Sequence, residues 1–324
     1  MGPLSAIPSA IVKAVLQYRL SSLQEAAFRA ALPEWLELIV DNEPGQSIRI
    51  LQDAEVLLHV LRPVTPDTLS HAAALQLIQK IGVGVNTIDL EAARRAGIRI
   101  ANMPGTNSQA VAEHTLTLIL SVLRKVRLLD AEVRAGRGWS IQPSFFDDVG
   151  EVSGRVVGFV GFGEIPRRLE PVMAALGARV IYCMSERASN SAAQKRSFND
   201  LLMESDVISL HLPLTDETRQ IMDDAAFSRM KRGAIVINTA RGDLINQQSL
   251  FDALVLGKIA GAGLDVTADE PCAVHEPLMK LANVVLTPHV AWLTRETLLR
   301  SARIIGENCR RLRAGQALLH EIIR

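Results

Sequence analysis

Six short apolar runs in the second half of the chain limit its fold more than any other feature: VVGFVG (156–161), ARVIYC (178–183), VISLHL (207–212), AIVINT (234–239), GAGLDV (261–266) and NVVLTP (283–288). They are mostly β-branched, regularly spaced and separated by segments of helical periodicity, the pattern of a parallel sheet covered on both faces. A weaker version of the same alternation fills the first hundred residues. Ile11–Tyr18 reads as a strand, Ser21 and Ser22 offer a helix cap, and Leu23, Ala26, Ala27, Ala30 and Ala31 recur at helical spacing up to Pro33. Strands follow at Leu36–Val40, closed by the turn residues 41–45, at Ala54–Val60 and at Leu77–Ile81. Right-handed crossovers between parallel strands then give an α/β fold of two doubly wound sheets. Val111–Val126 is apolar around most of a helix and is the expected joint between domains.

Lys plus Arg and Asp plus Glu both number 35, so no general field attracts a polyanion, and neither nucleic acid nor a membrane surface is an expected partner. Three cysteines, Cys183, Cys272 and Cys309, with no C-x-x-C, read as thiols of a reducing compartment and not as a disulfide framework or a metal site. No run approaches a membrane span and no positive leader precedes an apolar block, so the expected location is cytoplasmic.

After the first of the six runs stands Gly161-Phe162-Gly163-Glu164-Ile165-Pro166. Gly161 permits a tight turn, Gly163 lets backbone approach a pyrophosphate, and the N–H groups of Glu164 and Ile165 at a helix start can hold it. Glycine pairs in such turns are often only steric, but this one follows a strand and opens a helix. Pro166 replaces the third glycine of the fingerprint; it fits a first helical turn but has no N–H to donate. The next strand ends at Cys183-Met184-Ser185-Glu186-Arg187. Met184 stands where an acidic residue would bind a ribose hydroxyl, and Ser185 and Arg187 could receive a 2′-phosphate, a lean from NAD(H) toward NADP(H).

Polar groups cluster after three later strands: Arg241, Asp265 with Glu270, and His289. Singly, each has an ordinary structural account. Together they supply what reduction of a 2-keto acid needs. Arg provides a planar, permanently charged fork for carboxylate and carbonyl oxygens. His donates the proton that a forming alkoxide takes up near neutral pH, and a carboxylate beside it favours the charged ring.

The segments G-F-G-E-I, HLPLTDET (211–218), INTARGDLI (237–245), GLDVTADEP (263–271) and TPHVAW (287–292) resemble those of the D-isomer-specific 2-hydroxyacid dehydrogenases, as do LIQKIGVGVNTIDL (77–90) and NMPGTNSQAVAEHT (102–115). The resemblance spans nearly the whole chain in order. It implies a Rossmann cofactor domain (107–290) inserted in a flavodoxin-like substrate domain (1–106 with 291–324), a cleft that closes on ligand, and a homodimer. It implies that Arg241, Glu270 and His289 are catalytic and that backbone N–H groups of Val83, Gly84 and Val85 bind the substrate carboxylate. Asp265, Thr239 and Ala240 would line the nicotinamide, and His211, Pro213 and Thr218 the dinucleotide. Trp292 after the histidine is similar to the glycerate dehydrogenase and hydroxypyruvate reductase branch and would wall the pocket for hydroxypyruvate or glyoxylate, unless it serves packing. Ala110 stands where many members have serine, and Glu270 argues against a formate dehydrogenase. The rival reading is a nicotinamide-binding regulator, since some transcriptional corepressors resemble this family in fold and triad.

Overall fold

The computed structural model describes residues 11–42, 47–185 and 192–323. The chain forms two compact units, Met1–Asn107 with Leu293–Arg324, and Ser108–Trp292.

The first unit begins with strands β1 (Val12–Leu16), β2 (Leu36–Val40), β3 (Val56–His59), β4 (Leu77–Lys80) and β5 (Arg99–Ala101), interleaved with α1 (Ser22–Ala31), α2 (Ser47–Leu51), α3 (Pro66–Ser70) and α4 (Leu90–Arg95). The order β2-β1-β3-β4-β5, parallel throughout, is the flavodoxin-like order 2-1-3-4-5. Ser21 caps α1 in a reciprocal capping box with Gln24. The turn expected at 41–45 lies partly outside the described residues.

The second unit holds α5 (Ser108–Leu123), α6 (Val126–Arg134), β6 (Val156–Val160), α7 (Glu164–Ala175), β7 (Arg179–Cys183), β8 (Gln194–Lys195), α8 (Phe198–Glu204), β9 (Val207–Leu210), α9 (Asp224–Arg229), β10 (Ile235–Asn238), α10 (Gln247–Val255), β11 (Gly261–Leu264) and β12 (Val284–Leu286). Its parallel sheet runs β8-β7-β6-β9-β10-β11-β12, the Rossmann order 3-2-1-4-5-6 with one further strand. All six apolar runs became strands, and β6, β9, β10 and β11 are buried along their whole length. The order reverses between β6 and β9, which places the crevice of this sheet at their carboxyl ends.

The apolar helix starts three residues earlier than expected and stops at Leu123, because Lys125 turns left-handed (φ 50°) before α6. It is the first helix of the second unit. It lies on β11 so closely that a Cβ on Gly261 would fall 2.8 Å from Val122 Cγ1, and one on Gly263 3.0 Å from Leu118 Cβ. The glycines of GAGLDV are there to admit the helix.

The chain then returns to the first unit with α11 (Arg295–Arg313) and β13 (Glu321–Ile323). The helix packs on the end of α1, where a Cβ on Gly306 would stand 3.0 Å from Pro33 Cγ. The strand pairs antiparallel with β5 at the sheet edge. Neither β5 nor β13 is legible as a strand in the sequence; each has only three residues and no periodicity to read.

Cys183 and Cys309 are buried, and burial pushes both thiols up to about 12, which makes them inert. Among the described residues no helix is long and apolar enough to cross a membrane, and no group of three or more His, Cys, Asp or Glu is placed to hold a metal ion.

Candidate active site

The glycine turn lies at the switch point of the second unit. Gly161 has φ +91°, and a Cβ there would stand 2.6 Å from the carbonyl oxygen of His211 at the end of β9. Glycine is obligatory on both counts. Gly163 is the N-cap of α7 without a side-chain cap, and nothing lies within 4 Å of where its Cβ would be. The N–H groups of Glu164 and Ile165, in the first helical turn, have no partner inside the helix. Pro166, the third helical residue, is buried and subtracts one donor from that turn without breaking it. Two N–H groups aimed past an open glycine form an anion seat.

At the end of β7, Met184 turns left-handed (φ 52°) and is 44% exposed, with Ser185 after it half-buried. Among the described residues no carboxylate follows β7 at the position of a ribose-binding acid; Glu186 lies outside them. Arg187 lies outside the described residues.

Beyond β9 the ring of His211 bonds Ser209 Oγ through Nε2 at 2.9 Å and meets Phe159 edge-on at 5.6 Å. Burial pushes this imidazole down to about 3, so it is neutral at physiological pH. Thr218 is buried and ties its own loop: its hydroxyl donates to the Pro213 carbonyl at 2.8 Å and accepts from Thr215 N–H at the same distance. Pro213 is exposed.

After β10 the side chain of Asn238 organises the turn, donating to Arg241 O at 2.7 Å and accepting from Ala240 N–H at 3.0 Å. The Thr239 hydroxyl meets Thr115 Oγ1 of α5 at 2.9 Å. Arg241 donates from Nη1 to the Ala240 carbonyl at 2.5 Å. Burial lowers its guanidinium below the usual arginine range while the charge of Glu270 works the other way.

Glu270 and His289 come together as a pair. Nδ1 of His289 lies 2.6 Å from Glu270 Oε2, with side chains 19% and 32% exposed. An ionised carboxylate only accepts, so Nδ1 carries the hydrogen and Nε2 is left to face a reactant. The His289 backbone is left-handed (φ 53°), a conformation that costs about 1–2 kcal/mol outside glycine.

Asp265 accounts for how that conformation is held. It is 1% exposed; its Oδ1 accepts from Thr287 Oγ1 at 2.6 Å and from Val290 N–H at 2.9 Å, and its Oδ2 from Ala291 N–H at 2.9 Å. The N–H of His289 itself donates to Asp265 O at 2.7 Å. The residue expected at the nicotinamide is thus also the clamp for the histidine loop. Trp292 is 7% exposed and its indole N–H donates to His289 O at 3.1 Å. That bond braces the histidine loop.

In the first unit, Val83, Gly84 and Val85 follow β4 in a loop, with Val83 52% exposed. Among the described residues none of their three N–H groups donates to a protein acceptor, whereas Val83 O and Val85 O accept from Asn102 Nδ2 and Ile88 N–H, both at 2.9 Å. The carbonyls are tied down and the donors are free, as an anion loop requires.

Two contributions were missed by sequence reasoning. Gly242, next to Arg241, packs directly on the backbone of Thr267 and Ala268. His114 on α5 reaches Thr287. Glycine beside a strand-end arginine was a usable signal for the first; nothing local marked the second.

A Rossmann-ordered unit with a glycine turn at its switch point, and a His–Glu pair with an arginine at its later strand ends, is an arrangement that suits a nicotinamide-dependent dehydrogenase. The profile of the D-isomer specific 2-hydroxyacid dehydrogenase NAD binding domain matches residues 116–291. A glyoxylate reductase of Aeropyrum pernix is 41% identical over 250 residues, 75% of this chain and 74% of that protein. A D-3-phosphoglycerate dehydrogenase of Mycobacterium leprae is 36% identical over 294 residues, 89% of this chain but only 55% of that longer protein. A crystal structure of a protein from Thermus thermophilus superposes with a TM-score of 0.85 at 32% identity, covering 96% of this chain and 100% of that one. The chain belongs to the D-isomer-specific 2-hydroxyacid dehydrogenase family, oxidoreductases that act on CH–OH donors with a nicotinamide cofactor.

Proposed function

We propose that this protein reduces a small 2-keto acid to its D-2-hydroxy acid, and catalyses the reverse, with glyoxylate and hydroxypyruvate as first candidates. The observation that carries the reading is the 2.6 Å His289–Glu270 pair, with Arg241 electrostatically coupled to the same glutamate. A bound nicotinamide cofactor would supply the hydride; the N–H groups after Gly163 would hold its pyrophosphate, and Thr239, Ala240 and Asp265 would flank its nicotinamide. Arg241 holds the carboxylate and carbonyl oxygens, and the N–H groups of Val83, Gly84 and Val85 hold the carboxylate. Nε2–H of charged His289 protonates the carbonyl oxygen as hydride reaches carbon; in oxidation neutral Nε2 takes the hydroxyl proton. The similarity to glyoxylate reductase favours a short side chain.

The test follows NAD(P)H absorbance with glyoxylate, hydroxypyruvate, pyruvate and bulkier keto acids. Turnover on at least one is expected. Arg241→Lys keeps the charge but loses the two-pronged fork, so kcat/KM should fall by about a hundredfold. Cofactor binding without turnover across the panel would favour the regulator instead.

Met184 at the position of a ribose-binding acid, with Glu186 falling two residues later between Ser185 and Arg187, supports NADP(H) over NAD(H). Arg187→Ala should then weaken NADPH by about tenfold or more and NADH by less than about twofold. Equal losses would sink the preference.

The homodimer rests on α6 and the segment after it. Among its described residues α6 buries none, although Val126 and Val133 lie on it, and Trp139 is 90% and Phe146 48% exposed. So much exposed apolar surface fits a symmetric partner. Sedimentation at micromolar concentration should give twice the chain mass, and Trp139→Glu should shift it to monomer; a wild-type monomer would overturn the assignment.

A further inference from the structure

The histidine loop is held by a chain of groups that begins on α5. Nε2 of His114 lies 2.9 Å from Thr287 Oγ1, and that hydroxyl lies 2.6 Å from Asp265 Oδ1. A threonine has one proton to give. The carboxylate can only accept, so Thr287 donates to Asp265 and its free lone pair accepts from His114. Nε2 of His114 therefore carries a hydrogen. It stands 3.6 Å from Asp265 Oδ1, too far for a direct hydrogen bond, so the hydroxyl is a necessary relay.

The far end of the relay is soft without an anchor. The terminal torsion of an aspartate is broad and nearly two-fold, so the carboxylate plane is set by its partners and not by its own rotamer. Val290 N–H and Ala291 N–H hang on its two oxygens, one and two residues past His289. They fix the left-handed turn from which the imidazole reaches Glu270. If the Thr287 bond is lost the carboxylate can rotate, and both N–H groups must follow it or lose their acceptor.

We propose that His114 is a positioning residue for this reaction: through Thr287 it fixes the Asp265 carboxylate, and so the backbone that aims His289. The inference rests on His289 being the proton donor and adds a residue 173 positions from Thr287 in sequence. His114 touches no reacting atom. Its contribution is geometric and belongs in kcat, where a misplacement of about 1 Å reduces turnover by about a hundredfold.

His114→Leu and His114→Gln are compared with Thr287→Val and Thr287→Ser, reading kcat and KM for the keto acid, Kd for NAD(P)H by fluorescence, and Tm. His114→Leu and Thr287→Val should each lower kcat by about 10- to 100-fold while the cofactor Kd stays within about twofold. Gln, whose amide N–H can stand in for Nε2–H, and Ser, which keeps the hydroxyl, should each restore most of the loss. The His114→Leu/Thr287→Val double variant should lose no more than either single, because one relay is cut once. The proposal is overturned if His114→Leu keeps kcat near wild type, if Gln does not restore what Leu removes, or if the loss lies in cofactor affinity. Should His114→Leu fail to fold, the Thr287→Val and Thr287→Ser pair decides in the same way. His289→Ala separates the two levels. Turnover surviving in it refutes the proton-donor reading, whereas an inactive His289→Ala beside a normal His114→Leu refutes the positioning alone.

Discussion

Replacing His289 by alanine should lower kcat for keto-acid reduction by about 10²–10⁴-fold while leaving NAD(P)H binding nearly unchanged. The reason lies in where its two ring nitrogens are committed. Nδ1 is held by Glu270 at 2.6 Å, so Nε2 is the one position from which a proton can leave toward substrate. Neither neighbouring histidine of the second unit duplicates that role: His211 is pushed down to about 3 by burial and stays neutral, and His114 is engaged with Thr287. Glu270→Gln should lose less, since an amide oxygen still accepts from Nδ1–H and keeps the ring oriented, but it no longer stabilises the imidazolium that reduction consumes. Single-turnover mixing of enzyme, NAD(P)H and keto acid separates this step from product release. A His289→Ala enzyme that kept more than about a tenth of wild-type kcat would refute the assignment.

Much of this site could be read before the structure because it sits on the strongest sequence signal. The six apolar runs place six strands, and parallel strands deliver the residues that follow them to one edge of the sheet. Arg241, Asp265 and Glu270, and His289 follow β10, β11 and β12, so reading the strands amounts to reading the site. What escaped was set by contacts between distant segments. Asp265 was expected to touch the cofactor, but that four groups of residues 287–291 converge on it is a consequence of parallel pairing between β11 and β12. Trp292 reads in the sequence as a pocket wall or as packing, and no local pattern announces that its indole N–H donates to the His289 carbonyl. For the apolar helix, periodicity reports how much of it is covered and not by what: within the second unit it packs on α7, β10 and β11, and the glycines of β11 carry part of the clue.

Gly242→Ala should be the most damaging single-methyl change near the site. A Cβ at this position would lie 1.9 Å from Thr267 O, 2.0 Å from Thr267 C and 2.5 Å from Ala268 N. All three are backbone atoms, so no rotamer change can make room; normal carbon contacts are about 3.5–4.0 Å. One of two loops must move. Gly242 follows Arg241 directly, and Thr267 N–H donates to Glu270 Oε1 at 3.3 Å, so either movement separates the guanidinium from the carboxylate that anchors His289. Overpacking of this kind costs about 1–3 kcal/mol or more, and for a domain of this size about 2–4 °C of Tm follows each kcal/mol. The catalytic loss should exceed what instability explains: kcat should fall by about a hundredfold at temperatures where circular dichroism shows the protein folded. Gly257→Ala is the control, because nothing lies within 4 Å of its Cβ position and only its left-handed φ of +64° is penalised. It should lower Tm modestly and leave kcat alone. A Gly242→Ala protein with the stability and turnover of Gly257→Ala would mean that the 267–268 backbone yields freely, and that the spacing between Arg241 and Glu270 is not what this glycine protects.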